Sequence, residues 1–239
     1  MSLFSDFIDL IYPRPCAACY APLYSSENSI CTLCKYKLPQ TGFCTEPDNP
    51  VFKTFWGRAN IKAATAYYLF QKGSKVQRLV HQLKYKGRKD VGIEVGRVMG
   101  IELSHAAGFN KINTIVPVPL HRTRQNQRGY NQAEVLSQGI SLGYQNAQNK
   151  KPSLVCNNIL YRSAKTFTQT KKGRFARWEN MTGVFKINPK FNTRSLIHNQ
   201  ILLVDDVITT GSTLDACANT LLQIPNITVS IAAMAYACK

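Results

Sequence analysis

The residues of this chain that could bind a ligand or a metal fall into two short groups. One is an acidic pair with a hydroxyl-rich turn, and the other is a set of paired cysteines. The acidic pair is Asp205 and Asp206, and the turn after it consists of Thr209, Thr210, Gly211, Ser212 and Thr213. Backbone N–H groups of such a turn can enclose an anion at the N-terminus of the next helix, whose dipole favours a phosphate. Gly211 would let the backbone approach that phosphate closely. The turn is therefore predicted to hold a phosphate group.

The acidic pair is predicted to face the group that carries this phosphate. The run ILLVDD, residues 201–206, has the composition of a fully buried strand, and ligands of open α/β sheets bind beyond the carboxyl ends of strands. Two adjacent carboxylates there can accept hydrogen bonds from the vicinal hydroxyls of a sugar, or hold a cation. Two other interpretations stay open: a chance strand-turn-helix with a solvated Asp pair, and the acidic pair of a different nucleotide-binding α/β protein.

The paired cysteines have the spacing of a zinc site. Cys16 and Cys19 form one pair, Cys31 and Cys34 form a second, and eleven residues separate the pairs. Two such knuckles bring four thiolates together, as tetrahedral zinc requires, and a reducing compartment favours this over disulfides. Four protein ligands leave no position for a substrate, so the zinc would be structural. A redox pair and disulfides are the alternatives, and the single Cys44 that follows does not predict a second zinc site.

The positive charge is large and unevenly distributed. The formal net charge is +17, yet residues 1–60 contain five Lys or Arg and five acidic residues, so the excess follows residue 60. No acidic residue lies between Glu134 and Glu179, where eight Lys and Arg accumulate. A field of this sign attracts polyanions such as nucleic acid, and a merely solubilising surface is the alternative.

The sequence around these residues predicts an α/β fold. AATAYYLF at 63–70, INTIVPVPL at 112–120, ILLVDD and ITVSIAAMAYA at 227–237 are predicted strands. Helices are predicted at 76–87, from a cap at Asp90 to Gly108, at 128–143 and at 214–222. Residues 154–162 fit either a strand or a helix, and residues 163–181 are a predicted loop. Strands that alternate with helices predict a mostly parallel, doubly wound sheet. Cys156, Cys217 and Cys238 are predicted to be small buried hydrophobes.

The N-terminal part is expected to be a separate unit. Apolar residues from Leu3 to Ile11 fall on one side of a predicted helix, and residues 13–50 have no period and too few apolar residues for a core. We therefore expect a helix and zinc-ribbon-like module at 1–55 and a larger α/β domain at 56–239. No run approaches the ~18 apolar residues of a membrane span, and the N-terminus is acidic, which predicts a cytoplasmic protein.

Residues 201–213 resemble the phosphoribosyl-pyrophosphate motif of type I phosphoribosyltransferases. The segments RLVHQLKYKG, PVPL, RGYNQ and QTKKGRFARWEN, in this order with the cysteines, extend the resemblance to the ComF family over nearly the whole chain. This resemblance implies a type I phosphoribosyltransferase fold for 56–239, with Mg²⁺ binding together with phosphoribosyl pyrophosphate. Within RLVHQLKYKG, the helical spacing of Leu79, Val80 and Leu83 predicts core positions, and His81 is predicted to be structural.

The resemblance also implies two further sets of site residues. A pyrophosphate loop and the arginines behind it would comprise Val118, Pro119, Leu120, Arg122, Arg124 and Arg128. A flexible lid would carry Lys171, Lys172, Arg174 and Arg177. Aromatic residues near cations are candidates for stacking on bases, although a core position is the more frequent role for any one of them; they are Tyr67, Tyr68, Phe167, Phe175 and Trp178.

Three functions follow as expectations. The first, implied by the family, is a protein of DNA uptake and natural transformation that binds a phosphoribosyl or nucleotide-like ligand and single-stranded DNA, beside competence proteins such as a DNA helicase. The second is an active phosphoribosyltransferase, whose acceptor base or amine no residue identifies. The third is a catalytically inactive, zinc-dependent scaffold. Whether turnover occurs, and in which oligomeric state, does not follow from the sequence.

Overall fold

The computed structural model describes residues 14–148, 154–163 and 183–238. The predicted N-terminal helix, the lid residues Lys171, Lys172, Arg174 and Arg177, and the aromatic residues Phe167, Phe175 and Trp178 all lie outside these ranges. The remaining predicted sites fall within them.

A five-stranded parallel sheet forms the centre of the fold. Its strands are β1 (Ala63–Phe70), β2 (Thr114–Pro117), β3 (Leu154–Val155), β6 (Gln200–Ile208) and β7 (Thr228–Ala237). They lie in the order β1-β7-β6-β2-β3, and each neighbouring pair runs parallel. Two short strands, β4 (Leu160–Arg162) and β5 (Phe185–Ile187), form a separate antiparallel pair. The predicted α/β class with a parallel sheet is confirmed.

Seven α-helices complete the described architecture. They are α1 (Thr32–Lys37), α2 (Pro50–Lys53), α3 (Lys75–Tyr85), α4 (Lys89–His105), α5 (Arg122–Arg128), α6 (Gln132–Gln148) and α7 (Ser212–Leu221). Single 3₁₀ turns occur at Phe43–Thr45 and Thr193–Leu196.

Helices pack on both faces of the sheet because its strands are apolar on both faces. In β6, Leu202 and Val204 contribute to one core, which also contains the buried faces of α3, α4 and α6. Ile201 and Leu203 point the other way, into a second core with α7. Alternate residues of a strand face opposite sides, so a continuous apolar run suits a strand that is buried on both faces.

Helices α4 and α6 touch backbone to backbone. A Cβ atom on Gly96 would lie 2.4 Å from the carbonyl oxygen of Leu136, and one on Gly100 would lie 2.2 Å from that of Ile140. Gly139 repeats the arrangement from α6, where a Cβ would lie 2.4 Å from the Ile93 carbonyl oxygen. Glycine is required at these positions by the close approach of the two helices.

The segment with the paired cysteines contacts the rest of the protein at helix α4, and the chain that follows it contacts strand β1. Its Ser29 donates a backbone hydrogen bond of 2.9 Å to the buried carboxylate of Glu94 in α4, and Lys35 lies 2.5 Å from the same carboxylate.

Residues 39–41 run antiparallel beside β1. The N–H of Leu69 donates to the Pro39 carbonyl at 2.9 Å, and the N–H of Thr41 donates to the Tyr67 carbonyl at 3.0 Å. The division at residue 55 remains a prediction.

Several local expectations were wrong. Asp90 does not cap α4: the cap is Arg88, and Asp90 lies in the first turn, paired with Arg88 at 2.8 Å. By contrast, Tyr67 and Tyr68 are buried in the core, as the core alternative predicted, so they do not offer their rings to bases. Cys238 is exposed, unlike Cys156 and Cys217.

Other elements were refined by the structure. Residues 154–162, which fit either a strand or a helix by sequence, contain the strands β3 and β4. Strand β6 continues two residues beyond the end of the predicted strand. His81 is exposed on α3 and lies against Tyr85, so it is not a core residue. Within the described ranges, none of the helices combines the length and the apolar character that a membrane crossing requires.

Candidate functional site

The predicted phosphate turn lies between β6 and α7, at the carboxyl end of the central strands. Gly211 has φ +72° and is the N-cap of α7, which begins at Ser212. The turn and Asp205 line a small cavity of about 40 Å³. A Cβ atom on Gly211 would lie 3.0 Å from Thr54 and 3.1 Å from Phe55, so both the backbone conformation and the close packing favour glycine. The structure therefore brings residues 209–213 together at the start of a helix, as the sequence predicted.

Arg58 supports this turn from behind. One guanidinium nitrogen donates to the Thr210 carbonyl at 2.9 Å, and another lies 3.1 Å from the carboxylate of Asp215, which is buried in α7. The same guanidinium group reaches the Ser212 hydroxyl at 3.5 Å. Asn219 donates to both Asp215 and the Arg58 carbonyl. This network holds the turn in place relative to α7, and Arg58 itself does not line the cavity of the turn.

Asp205 and Asp206 occupy the last part of β6. Lys84 of α3 lies 3.0 Å from Oδ2 of Asp206, and the two side chains are only 20% and 13% exposed. Burial, together with the neighbouring Asp206 carboxylate, raises the pKa of Asp205 to about 7. The two acids therefore differ, because Asp206 has a close cationic partner whereas Asp205 accepts a hydrogen bond from the backbone N–H of Asp206.

A cationic cavity opens beside Lys84. Its volume is about 520 Å³, and it is lined by Lys84, Tyr85, Gly87, Arg124, Gln127 and Arg128. Arg128 donates to the Gln132 side chain at 2.6 Å and stacks over the Tyr85 ring at 5.3 Å. Three cationic side chains around one opening suit a polyanionic group such as a pyrophosphate, which forms charge-assisted hydrogen bonds with Arg and Lys.

The predicted pyrophosphate-loop residues are not all in one place. Val118 is buried, and its N–H donates to the Val204 carbonyl of β6 at 2.9 Å, which ties the loop to the strand that carries the acids. Pro119, Leu120 and Arg122 line a second cavity of about 740 Å³ that also includes Tyr161 and Arg162. Of the residues predicted behind the loop, Arg124 and Arg128 are the ones that line the cavity beside Lys84.

Four thiols form a cluster in the cysteine segment. The sulfur atoms of Cys16, Cys19, Cys31 and Cys34 all lie within 4.8 Å of one another, and those of Cys19 and Cys31 are 3.7 Å apart. A zinc–sulfur distance of about 2.3 Å gives tetrahedral sulfur–sulfur separations of about 3.8 Å, so the spacing fits a zinc ion. Burial opposes ionisation of the Cys16 thiol, but backbone N–H groups donating to it lower its pKa to about 7. The donor set could hold a metal ion, and Cys44 is not part of it.

Sequence reasoning missed two residues of this site. Arg58 is an isolated arginine between two predicted elements, and no pattern connects it with a turn more than 150 residues later. Lys84 lies within RLVHQLKYKG, where the apolar spacing predicts core positions and says nothing of the lysine between them. Both residues act through long-range contacts, which a local pattern does not reveal.

Known proteins are similar to this chain along most of its length. Competence protein F of Haemophilus influenzae is 26% identical over 217 residues, which cover 87% of the chain and 91% of that protein. DNA utilization protein YhgH of Escherichia coli K12 is 28% identical over 233 residues, covering 90% and 93%. Competence protein ComFC of Bacillus subtilis is 22% identical over 215 residues, covering 88% and 78%. No protein-family model matches the chain.

Proposed function

Because the chain belongs to the ComF family, we propose that it acts in DNA uptake and natural transformation, where it binds a phosphoribosyl-pyrophosphate-like ligand and single-stranded DNA. The observation that carries the ligand assignment is the arrangement around the end of β6. Asp205 lines the same small cavity as the turn at 209–213. Lys84 connects the acidic pair with the larger cavity, because it forms an ion pair with Asp206 and lines that cavity together with Arg124 and Arg128.

Each part of the proposed ligand has a matching surface. The 5′-phosphate would accept hydrogen bonds from backbone N–H groups and hydroxyls of residues 209–213 at the N-terminus of α7. The ribose hydroxyls would donate to Asp205 and Asp206, and the pyrophosphate would lie against Lys84, Arg124 and Arg128. Asp205 and Asp206 are the residues near which Mg²⁺ would bind with the ligand, and the ion would neutralise charge on the pyrophosphate. The lid residues named from the sequence are part of the same proposal.

The DNA assignment is supported by charge and by the relatives. A net charge of +17 attracts a polyanion, and the names of the similar proteins refer to competence and to DNA utilization. We include a cytoplasmic location and contact with other competence proteins, such as a DNA helicase, in this proposal. Zinc at the four thiols would be structural and would stabilise a segment that has little core of its own.

Thermal unfolding tests the ligand assignment. Phosphoribosyl pyrophosphate with Mg²⁺ at ~100 times its dissociation constant should add about 2.7 kcal/mol to the free energy of unfolding. The double variant Asp205→Asn/Asp206→Asn should lose this protection, whereas Lys190→Gln, an exposed cation away from the site, should retain it. Equal protection of the wild type and the double variant would show that the acidic pair does not hold the ligand, and no protection at all would favour an inactive scaffold.

Single-stranded DNA binding is tested separately. Affinity for an oligothymidylate should fall steeply with salt, and the same double variant should bind it nearly as well as the wild type. A protein that does not bind the oligonucleotide at low salt would contradict the DNA assignment without affecting the ligand assignment.

An active transferase is a second candidate, favoured by the acidic pair beside the cationic cavity. In this reaction an acceptor nitrogen attacks the anomeric carbon of the ribose, and the bond to pyrophosphate breaks as that group leaves with the electron pair. Cations around the leaving group would stabilise its developing charge. Release of pyrophosphate with one of the common bases, lost in the double variant, would establish this function.

A further inference from the structure

Two exposed tyrosines mark the ends of a surface track along α3. Tyr20, next to Cys19 of the four-thiol cluster, is 54% exposed, and Tyr85 at the end of α3 is 63% exposed. Between them lie Arg78, His81 and Gln82, all of which are on the side of α3 opposite its buried residues. We call these five residues and Arg128 the α3 track.

Contacts join the members of the α3 track into one continuous surface. The guanidinium group of Arg78 lies over the Tyr20 ring at 5.8 Å, and Gln82 reaches the Tyr20 hydroxyl at 3.4 Å. One turn further on, the rings of His81 and Tyr85 are 5.0 Å apart. Arg128 then covers Tyr85 at 5.3 Å, and both line the cavity beside Lys84. The track therefore leads from the cysteine segment to the opening next to Asp206.

Tyr20 is held in an unfavourable backbone conformation. Its φ angle is +66°, in the left-handed region, where a bulky side chain costs free energy and glycine is favoured. The N–H of Tyr20 donates to the Cys16 carbonyl at 2.9 Å, so the residue closes the turn of the first cysteine pair in this conformation. Strained residues of this kind occur at functional sites, and here the strain presents an aromatic ring to solvent.

The charge around the track has one sign. Residues 71–89 contain seven Lys and Arg and no acidic residue. The first acid beyond them, Asp90, is paired with Arg88 at 2.8 Å. Proteins bind single-stranded nucleic acid with positively charged surfaces that carry aromatic rings for base stacking, and the α3 track combines these two features.

We propose that single-stranded DNA binds along the α3 track, with bases stacked on Tyr20 and Tyr85 and phosphates at Arg78 and Arg128. This inference rests on the DNA-binding part of the proposed function, and it assigns that binding to α3 and to the cysteine segment instead of to the basic stretch between Glu134 and Glu179. Duplex DNA fits the track poorly, because paired bases do not offer their faces to a side chain. The strand would pass from the cysteine segment to the sugar-phosphate site.

Two variants at the ends of the track test the stacking. Tyr20→Gly removes the ring at a position where glycine suits the backbone, so the fold should be as stable as the wild type or more so. Tyr85→Ala removes the other ring from the surface. Each variant should weaken binding of an oligothymidylate by roughly fivefold to a hundredfold, which corresponds to the loss of one stacked base. The matched control is Tyr36→Ala, because Tyr36 is 87% exposed in the same segment but lies outside the track, and its affinity should be unchanged.

Charge and ligand readouts distinguish loss of the track from a general loss of binding. Arg78→Gln should reduce the salt dependence of binding by about one phosphate contact. Tyr20→Gly should keep full thermal protection by phosphoribosyl pyrophosphate. If the wild type binds the oligonucleotide and both tyrosine variants bind it as tightly as Tyr36→Ala does, the α3 track is wrong while DNA binding stands. If the wild type does not bind, the DNA assignment itself fails.

A crosslinking experiment locates the strand directly. Photocrosslinking of an oligonucleotide that contains 5-iodouracil, followed by mass spectrometry, should label peptides with Tyr20 or Tyr85. Labelling confined to residues 134–179, or equal affinity for a duplex of the same length, would overturn the proposal.

Discussion

The amino group of Lys84 lies 3.0 Å from Oδ2 of Asp206, across the gap between α3 and the end of β6. Most of both side chains is shielded from water, so the pair is screened less than a surface salt bridge. In a double-mutant cycle with Lys84→Met and Asp206→Asn, we expect a coupling energy between about 1 and 3 kcal/mol in urea unfolding. Additive effects of the two changes would show that the contact does not stabilise the ligand-free protein.

Asp205 predicts a dependence of stability on pH. Its pKa is raised from 3.8 to about 7 in the folded protein, chiefly by burial, so the stability that the neutral acid contributes is lost as pH rises towards 7. Asp205→Asn cannot ionise and should therefore be more stable than the wild type at pH 8. The difference in Tm between the two proteins should shrink as pH falls from 7 to 4. A difference that is constant over this range would mean that Asp205 has an ordinary pKa.

Arg58 should control phosphate binding without touching the ligand. Arg58→Ala removes the hydrogen bond to the Thr210 carbonyl and leaves Asp215 without this cation, so the turn loses its support. We expect phosphoribosyl pyrophosphate to bind at least tenfold more weakly, a change of about 1.4 kcal/mol. The control is Arg194→Ala, at an exposed arginine in a 3₁₀ turn, which should bind as the wild type does. Calorimetric titration distinguishes these outcomes, and equal affinities would contradict the supporting role.

The glycines between α4 and α6 predict a graded series of stabilities. Gly100→Ala would place a methyl group 2.2 Å from a backbone carbonyl oxygen, which cannot move without separating the helices, and should cost about 3 kcal/mol or more. Gly92→Ala meets side-chain atoms of Val135 and Leu83 at 2.9 and 3.0 Å, and should cost about 1 kcal/mol. Denaturant unfolding gives both values. Similar costs for the two variants would show that the helix–helix contact can relax.

Metal removal should unfold the cysteine segment. Cys16→Ser, or a strong chelator, should release one zinc ion per chain and lower the Tm, because metal binding at the four thiols would contribute folding free energy to this segment. Cys44→Ala should keep its zinc, since its sulfur lies outside the cluster. Elemental analysis with thermal unfolding provides the readout. A fully stable, metal-free protein would contradict a structural zinc site.

The sequence predicted elements whose signals are local. β1 follows from AATAYYLF, β6 from an apolar run, and the turn at Gly211 from its residue types, because each reflects burial or backbone geometry of a few neighbours. The four thiols were also predicted, since metal geometry sets the spacing of each pair.

What the sequence did not predict depends on distant contacts. Arg58 meets Asp215 across 157 residues of sequence, so no local pattern connects the two side chains. Likewise, helix α5, which carries the arginines predicted behind the pyrophosphate loop, has no buried residue, so it gives no apolar period to detect. Its position divides the loop residues between two cavities.

The pairing of residues 39–41 with β1 has a consequence for how the protein behaves in a cell. β1 is the outermost strand of the sheet, and the chain beside it satisfies the N–H of Leu69 and the carbonyl of Tyr67. Were that chain released, the bared strand would offer a template on which a second molecule could add its own strand, a common start of aggregation. If a metal ion at the four thiols holds this segment in place, loss of the metal should expose β1 and lower the solubility of the protein.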